Sequence, residues 1–135
     1  VGAVNMTLGS SDVSNDTLLE SLKVPKGFSV SVYAEVENAR VLRFSPSGHL
    51  LVANPNLDRI TILDPDKNND GASDSSRTLI EGLNGPKGLD FYQGWLYIAE
   101  TDGIGRVELD VASGELVSAY ERIVTGLPGC DNHWK

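Results

Sequence analysis

The chain has 135 residues, with 19 Asp and Glu against 11 Lys and Arg, a formal net charge of −8 and 40% hydrophobic residues. That length suits one domain, and the apolar content is enough for a core. The acidic balance argues against a nucleic-acid partner or an anionic membrane surface, either of which demands a basic face. The sequence has no apolar run long enough for a membrane span.

Residues 1–23 form a leader rich in Gly, Ser, Asn and Asp, read as poorly ordered apart from a short helical turn over 17–22 that Pro25 ends. Two sequons, at Asn5 and Asn15, matter only in a eukaryotic secretory pathway. No leader of the secretory type precedes Val1, so in a secreted protein its signal peptide has gone. From Phe28 to Val36 apolar and polar residues alternate, the period of a half-buried strand.

Residues 24–135 are read as part of one β-propeller, because two stretches repeat one another. Phe44 recurs as Phe91, Leu50-Leu51-Val52-Ala53 as Leu96-Tyr97-Ile98-Ala99, Ile60 to Asp64 as Arg106 to Asp110, and Leu79 to Leu83 as Ile123 to Leu127. The offsets are 47, 46, 46 and 44 residues. A period of about 40–50 residues with several short strands marks a propeller blade. The expected fold is all-β: about two four-stranded blades of a six-bladed ring, blade one over 39–83, blade two over 86–127, and the start of a third over 128–135. Strands are expected at 41–44, 50–54, 59–63 and 77–80, then at 88–91, 95–100, 105–110 and 116–123, the last with a bulge near 119–122. Ser45-Pro46-Ser47-Gly48 is a tight turn, and His49 beside it is read as solvent-facing. Gly103-Ile104-Gly105 reads as a hairpin turn rather than a nucleotide-binding loop, since a strand follows it. Two blades cannot close a ring, so the chain reads as a piece of a longer propeller or one that finds its other blades elsewhere.

Ligands on repeat folds gather on loops that a rigid scaffold positions. Arg40 precedes the first inner strand, Lys87 follows 47 residues later, and His133 another 46 on, where a third inner strand is due. Two cations and a histidine suit an anionic ligand plus a proton-accepting group. The plainer reading is three solvated loop residues.

Asp66, Asn68, Asp70 and Gly71, with Asp74 at the ninth position, match the first half of an EF-hand calcium loop. The twelfth position is Arg77 rather than Glu, and an Asn/Asp-rich hairpin turn explains the same residues. Cys130 is the one cysteine and has no partner in this sequence. The sequence offers no Cys/His zinc cluster and no nucleophile elbow.

These stretches together resemble the N-terminal part of the pyrroloquinoline quinone (PQQ)-dependent sugar dehydrogenases, in the branch that includes sorbosone dehydrogenase-like proteins. Val24-Pro25-Lys26-Gly27-Phe28, Arg43-Phe44-Ser45-Pro46-Ser47-Gly48-His49-Leu50, Gly82-Leu83-Asn84-Gly85-Pro86-Lys87-Gly88-Leu89 and Asn132-His133-Trp134 carry the resemblance, over about residues 22–135. It implies a six-bladed propeller that holds PQQ over its channel mouth beside calcium and oxidises sugars, polyols or sugar aldehydes. His133 would be the base, Asn132 and Trp134 would flank it, and Arg40 and Lys87 would face the cofactor. An external electron acceptor, such as a dye or a cytochrome, and a secreted location, extracellular or periplasmic, follow from the same resemblance. The alternatives are a non-catalytic NHL-like propeller that binds protein or glycan, and a lactonase-like propeller. The latter needs metal-binding carboxylates where this chain places Arg, Lys and His.

Overall fold

The computed structural model describes residues 4–8 and 19–129. Eleven strands are present among them: β1 (Val4–Leu8), β2 (Val30–Glu35), β3 (Val41–Phe44), β4 (Leu50–Asn54), β5 (Arg59–Leu63), β6 (Ser76–Glu81), β7 (Gly88–Tyr92), β8 (Trp95–Ala99), β9 (Ile104–Asp110), β10 (Glu115–Leu116) and β11 (Glu121–Val124). A single 3-10 turn, Pro55–Leu57, links β4 to β5. The first sheet runs β3-β4-β5-β6, and the second runs β7-β8-β9 with β10 and β11 both on the outer side of β9. All pairs within these two sheets are antiparallel. The expected pair of antiparallel units is therefore present, and the chain is all-β.

Three elements depart from the sequence reading. Residues 4–8, inside the expected leader, form β1, which pairs in parallel with β2. The helical turn covers 19–21. The long strand expected at 116–123 is two short ones: β10 pairs with Leu109 and Asp110, and β11 pairs with 104–106. Between them the chain leaves the ladder, and Tyr120 packs against the interior beside Gly105. Without a side chain, Gly105 leaves room for that ring. It lies within β9 rather than in a turn, so the hairpin turn expected at 103–105 falls just before it.

Burial follows from the layering. β4 is buried along its whole length, because both of its faces are covered. Leu51 and Ala53 join Ile60, Ile62, Leu96, Ile98 and Val107 in the core between the sheets. Leu50 and Val52 point the other way and pack with Leu63 against Tyr33 and Val36. A strand covered on both faces reads as a continuous apolar run. β8 alternates instead: Leu96 and Ile98 are buried, while Trp95, Tyr97 and Ala99 on its opposite face are half-buried. The first sheet is thus the middle layer. Burying each large aliphatic side chain there contributes about 1.5–3 kcal/mol.

Candidate functional site

The entries to β3 and β7, the first strands of the two sheets, are built alike. Arg40 N–H donates to the Ala53 carbonyl at 3.0 Å, and Lys87 N–H donates to the Ala99 carbonyl at 2.7 Å. Two residues before each cation stands a left-handed residue, Asn38 at φ 53° and Gly85 at φ 55°. One residue earlier still, the chain is pinned by the side chain that follows the anchoring alanine. Asn54 Nδ2 donates to the Glu37 carbonyl at 2.6 Å. Glu100 Oε1 accepts from Asn84 N–H at 2.7 Å. The spacing of 47 residues between Arg40 and Lys87 is therefore a true structural equivalence: two cationic residues open adjacent strands from the same backbone frame. Arg40 is exposed and Lys87 half-buried. β3 and β7 lie side by side, and Arg43 on the one pairs with Asp90 on the other at 2.6 Å.

The choice of Asn in one sheet and Glu in the other follows from what surrounds them. Asn54 has an acceptor to satisfy, the Glu37 carbonyl, and a donor, Thr61 Oγ1, at 2.8 Å from its Oδ1. An amide does both. Glu100 meets donors: Asn84 N–H, the Tyr120 hydroxyl at 2.7 Å from Oε2, and Arg122 Nε at 3.4 Å. A carboxylate accepts from all three. Burial first, and then the bond to Glu100, push the Tyr120 phenol well above its ordinary range. Beside them the Asp102 carboxyl is held below its usual range, first by the Arg122 guanidinium and then by the Asn84 amide.

Sequence reasoning missed Glu100. Its signal was present in the repeat, where it stands 46 residues after the buried Asn54 and closes an apolar strand with a carboxylate. His49 is a second correction. It is buried at 6% exposure rather than solvent-facing. Ser47 Oγ lies 3.0 Å from its Nδ1, Asp64 Oδ1 lies 3.7 Å from its Nε2, and Gly114 of the second sheet lies against its ring. A residue of the second sheet's loop covers it, which no local pattern around Gly48 reveals.

In the acidic loop, the two oxygens of Asp66 accept from Asp70 N–H at 3.1 Å and Gly71 N–H at 2.9 Å. Asn68 Oδ1 also accepts from Asp70 N–H, Asp70 Oδ1 accepts from Ala72 N–H, and Asp74 Oδ2 accepts from Lys67 N–H. The loop closes on its own backbone through Asx-type bonds. Among the described residues no three His, Cys, Asp or Glu side chains gather as a metal-holding group. Asn132, His133, Trp134 and Cys130 lie outside the described residues.

Beside the Lys87 entry, a depression of about 450 Å³ opens on the face of the second sheet turned away from the first. Asp90, Tyr92, Tyr97 and Ile104 are among the residues that line it, with the backbone run from Gly88 through Leu89. Next to it, Arg106 stacks on the Trp95 ring at 4.3 Å, a cation–π contact.

The fold is similar to part of solved structures of a PQQ domain and of a carbohydrate-active enzyme family. The holo form of the pyranose dehydrogenase PQQ domain from Coprinopsis cinerea superposes with a TM-score of 0.67 over 81% of this chain and 26% of that one, at 21% identity. Two structures of Carbohydrate-Active Enzymes Family AA12 from Trichoderma reesei, an iodide and a calcium structure, superpose with TM-scores of 0.61 over 73% of this chain and 26% of theirs, at 18% identity. The chain thus spans about a quarter of the length of these proteins. No protein-family model and no curated protein sequence matches it. Among the described residues no helix is long and apolar enough to cross a membrane.

Proposed function

We propose that this chain is the N-terminal part of a PQQ-dependent sugar dehydrogenase that oxidises a sugar, polyol or sugar aldehyde. The observation that carries the reading is the duplicated strand entry, which presents Arg40 and Lys87 from one backbone frame on adjacent strands of a fold shared with a PQQ domain. The quinone is a polyanion, and two cationic side chains at repeated positions fit it. In this reading the two sheets are blades of a six-bladed ring, and a further blade covers the Trp95–Tyr97 face. Arg40 and Lys87 bind and orient carboxylates, His133 takes the proton from the substrate hydroxyl, and Asn132 and Trp134 flank it. When bound, the quinone supplies the hydride acceptor. Calcium enters as the cation that accompanies the quinone; one similar structure is a calcium structure. The acidic loop, through Asp66, Asn68, Asp70 and Asp74, is proposed as a structural calcium site. An external dye or cytochrome then removes the electrons, and the protein acts outside the cytoplasm.

The test is reconstitution of the full-length protein with PQQ and calcium, followed by dye reduction against aldoses and sugar aldehydes, with His133→Ala beside it. Quinone-dependent turnover that collapses in the variant is the expected result. Absence of quinone binding to the wild type would overturn the reading and leave a propeller-like binding module.

A further inference from the structure

Resting on that reading, we propose that Glu100 is the positioning residue for Lys87, acting through Asn84. Asn84 is held at three atoms. Its N–H donates to Glu100 Oε1 at 2.7 Å, its carbonyl accepts from Thr101 N–H at 2.9 Å, its Nδ2 donates to Asp102 Oδ1 at 2.9 Å, and Glu100 and Asp102 are themselves joined through Arg122. Three residues on, the backbone delivers Lys87.

The route between them is short and stiff. Gly85 is left-handed, and its N–H is taken by Asp58 Oδ1 of the first sheet at 2.8 Å. Pro86 is fully buried and fixes its own φ. Lys87 N–H is tied to the Ala99 carbonyl, the residue next to Glu100. A shift of Asn84 therefore passes to Lys87 instead of being absorbed.

Glu100 also reaches outward. Its side chain is 3% exposed, and Oε2 accepts from Tyr120, which packs behind Gly105 ahead of β11. One carboxylate thus ties the first strand of the sheet to its outer edge. In the first sheet the equivalent tie is Asn54, which holds Glu37 ahead of Arg40. The same device serves both cations with opposite hydrogen-bond polarity. A residue needed only for packing would not repeat at the one point that sets the strand entry in each sheet.

The experiment uses the full-length protein and PQQ as the probe. Quinone dissociation constants are measured by absorbance for the wild type, Lys87→Ala, Glu100→Ala, Glu100→Asp, Glu100→Gln and the Lys87→Ala/Glu100→Ala pair. Hydrogen exchange over 84–87 is followed in parallel. Glu100→Asp keeps the charge but withdraws it from Asn84 by one methylene, and it serves where Glu100→Ala does not fold. Expected are roughly tenfold weaker quinone binding in Lys87→Ala and in either shortened Glu100 variant, and a double variant no weaker than Lys87→Ala alone, because residues acting through one another are not additive. Glu100→Gln, which retains an acceptor for Asn84, binds within about threefold of wild type. Exchange over 84–87 rises in the shortened variants.

Additive losses in the double variant, or wild-type binding and unchanged exchange in Glu100→Asp, would overturn the proposal while leaving the quinone reading intact. A wild type that binds no quinone overturns both. In that case the exchange result still decides whether Glu100 sets the loop.

Discussion

Arg77 and Asp64 form the clasp between the two sheets. Arg77 Nη1 donates to Asp64 Oδ1 at 2.9 Å, while its Nη2 crosses to the second sheet and donates to the Gly114 carbonyl at 3.1 Å. His49 lies beneath the same contact, with its Nε2 3.7 Å from that Asp64 oxygen. The Glu115 partner of Arg77 is 67% exposed and contributes little.

Replacing Arg77 by Ala removes the crossing bond and leaves Asp64 with its Ser75 partner alone among hydroxyl and guanidinium donors. Arg77 is a third exposed, so the expected loss is about 1–2 kcal/mol, at the lower end for a bond to a charged group. Urea unfolding of Arg77→Ala and of Glu115→Ala separates the two contacts. The Glu115 variant is expected to unfold within about 0.5 kcal/mol of wild type.

Asp64 gives this clasp a pH dependence. The Ser75 hydroxyl first, and then the Arg77 guanidinium, hold its carboxyl below the usual range against the opposing effect of burial. The folded value is lower than the unfolded one of about 3.9. Its contribution is therefore fully present above about pH 4 and is lost as pH falls through the folded value. Asp64→Asn is expected to be less stable at neutral pH and to lose less stability between about pH 4 and pH 2 than wild type. Equal acid slopes for the two proteins would remove Asp64 as a source. Asp102 and Asp110 shift in the same direction and add to the wild-type slope.

Core substitutions report the layering. Ile98 is fully buried between the sheets, while Tyr97, its neighbour in β8, is half-buried on the open face. Ile98→Ala is expected to cost about 2–5 kcal/mol, and Tyr97→Ala less than half of that. If the chain is studied within a larger assembly that covers this face, the Tyr97 cost rises toward the Ile98 cost. Chemical denaturation of both variants in the isolated chain and in the full-length protein gives the comparison.

The two sheets were legible in the sequence because the repeat states each strand twice. β3, β4 and β5 fall at the expected residues. β1 was missed although Val4-Asn5-Met6-Thr7-Leu8 alternates apolar and polar residues, because the run is short, lies among Gly, Ser, Asn and Asp, and its parallel pairing with β2 is made by tertiary contact. The split of the last strand was visible only as a suspected bulge. Its cause lies fifteen residues upstream of Tyr120, where Gly105 makes room for the ring. The Arg40 and Lys87 positions followed from spacing alone, while the residues that hold those positions did not. Asn54 and Glu100 sit at the ends of apolar strands and look like loop polarity until their partners are known. His49 was misread for a related reason, because the loop that buries it arrives from more than sixty residues away.

Gly105 and Tyr120 provide the sharpest single-site prediction. A Cβ at Gly105 would overlap the hydroxyl and ring carbons of Tyr120. β9 is paired on both sides here, with Ile98 of β8 and Arg122 of β11, so its backbone cannot retreat. The tyrosine ring is the part that must move, and with it goes the bond from its hydroxyl to Glu100. Gly105→Ala is expected to destabilise by about 1–3 kcal/mol through overpacking, with the loss of the buried hydroxyl's partner adding to it. Tyr120→Phe removes the bond without the overlap and is expected to cost about 1 kcal/mol. Spectrophotometric titration distinguishes a displaced ring from a strained one. In wild type, Tyr120 is the most strongly raised phenol because it is partly buried and faces a carboxylate. In Gly105→Ala, a displaced Tyr120 returns toward the ordinary tyrosine range near about 10. A variant that loses stability yet keeps the raised phenol would show that β9 yielded instead and that Tyr120 stayed on Glu100.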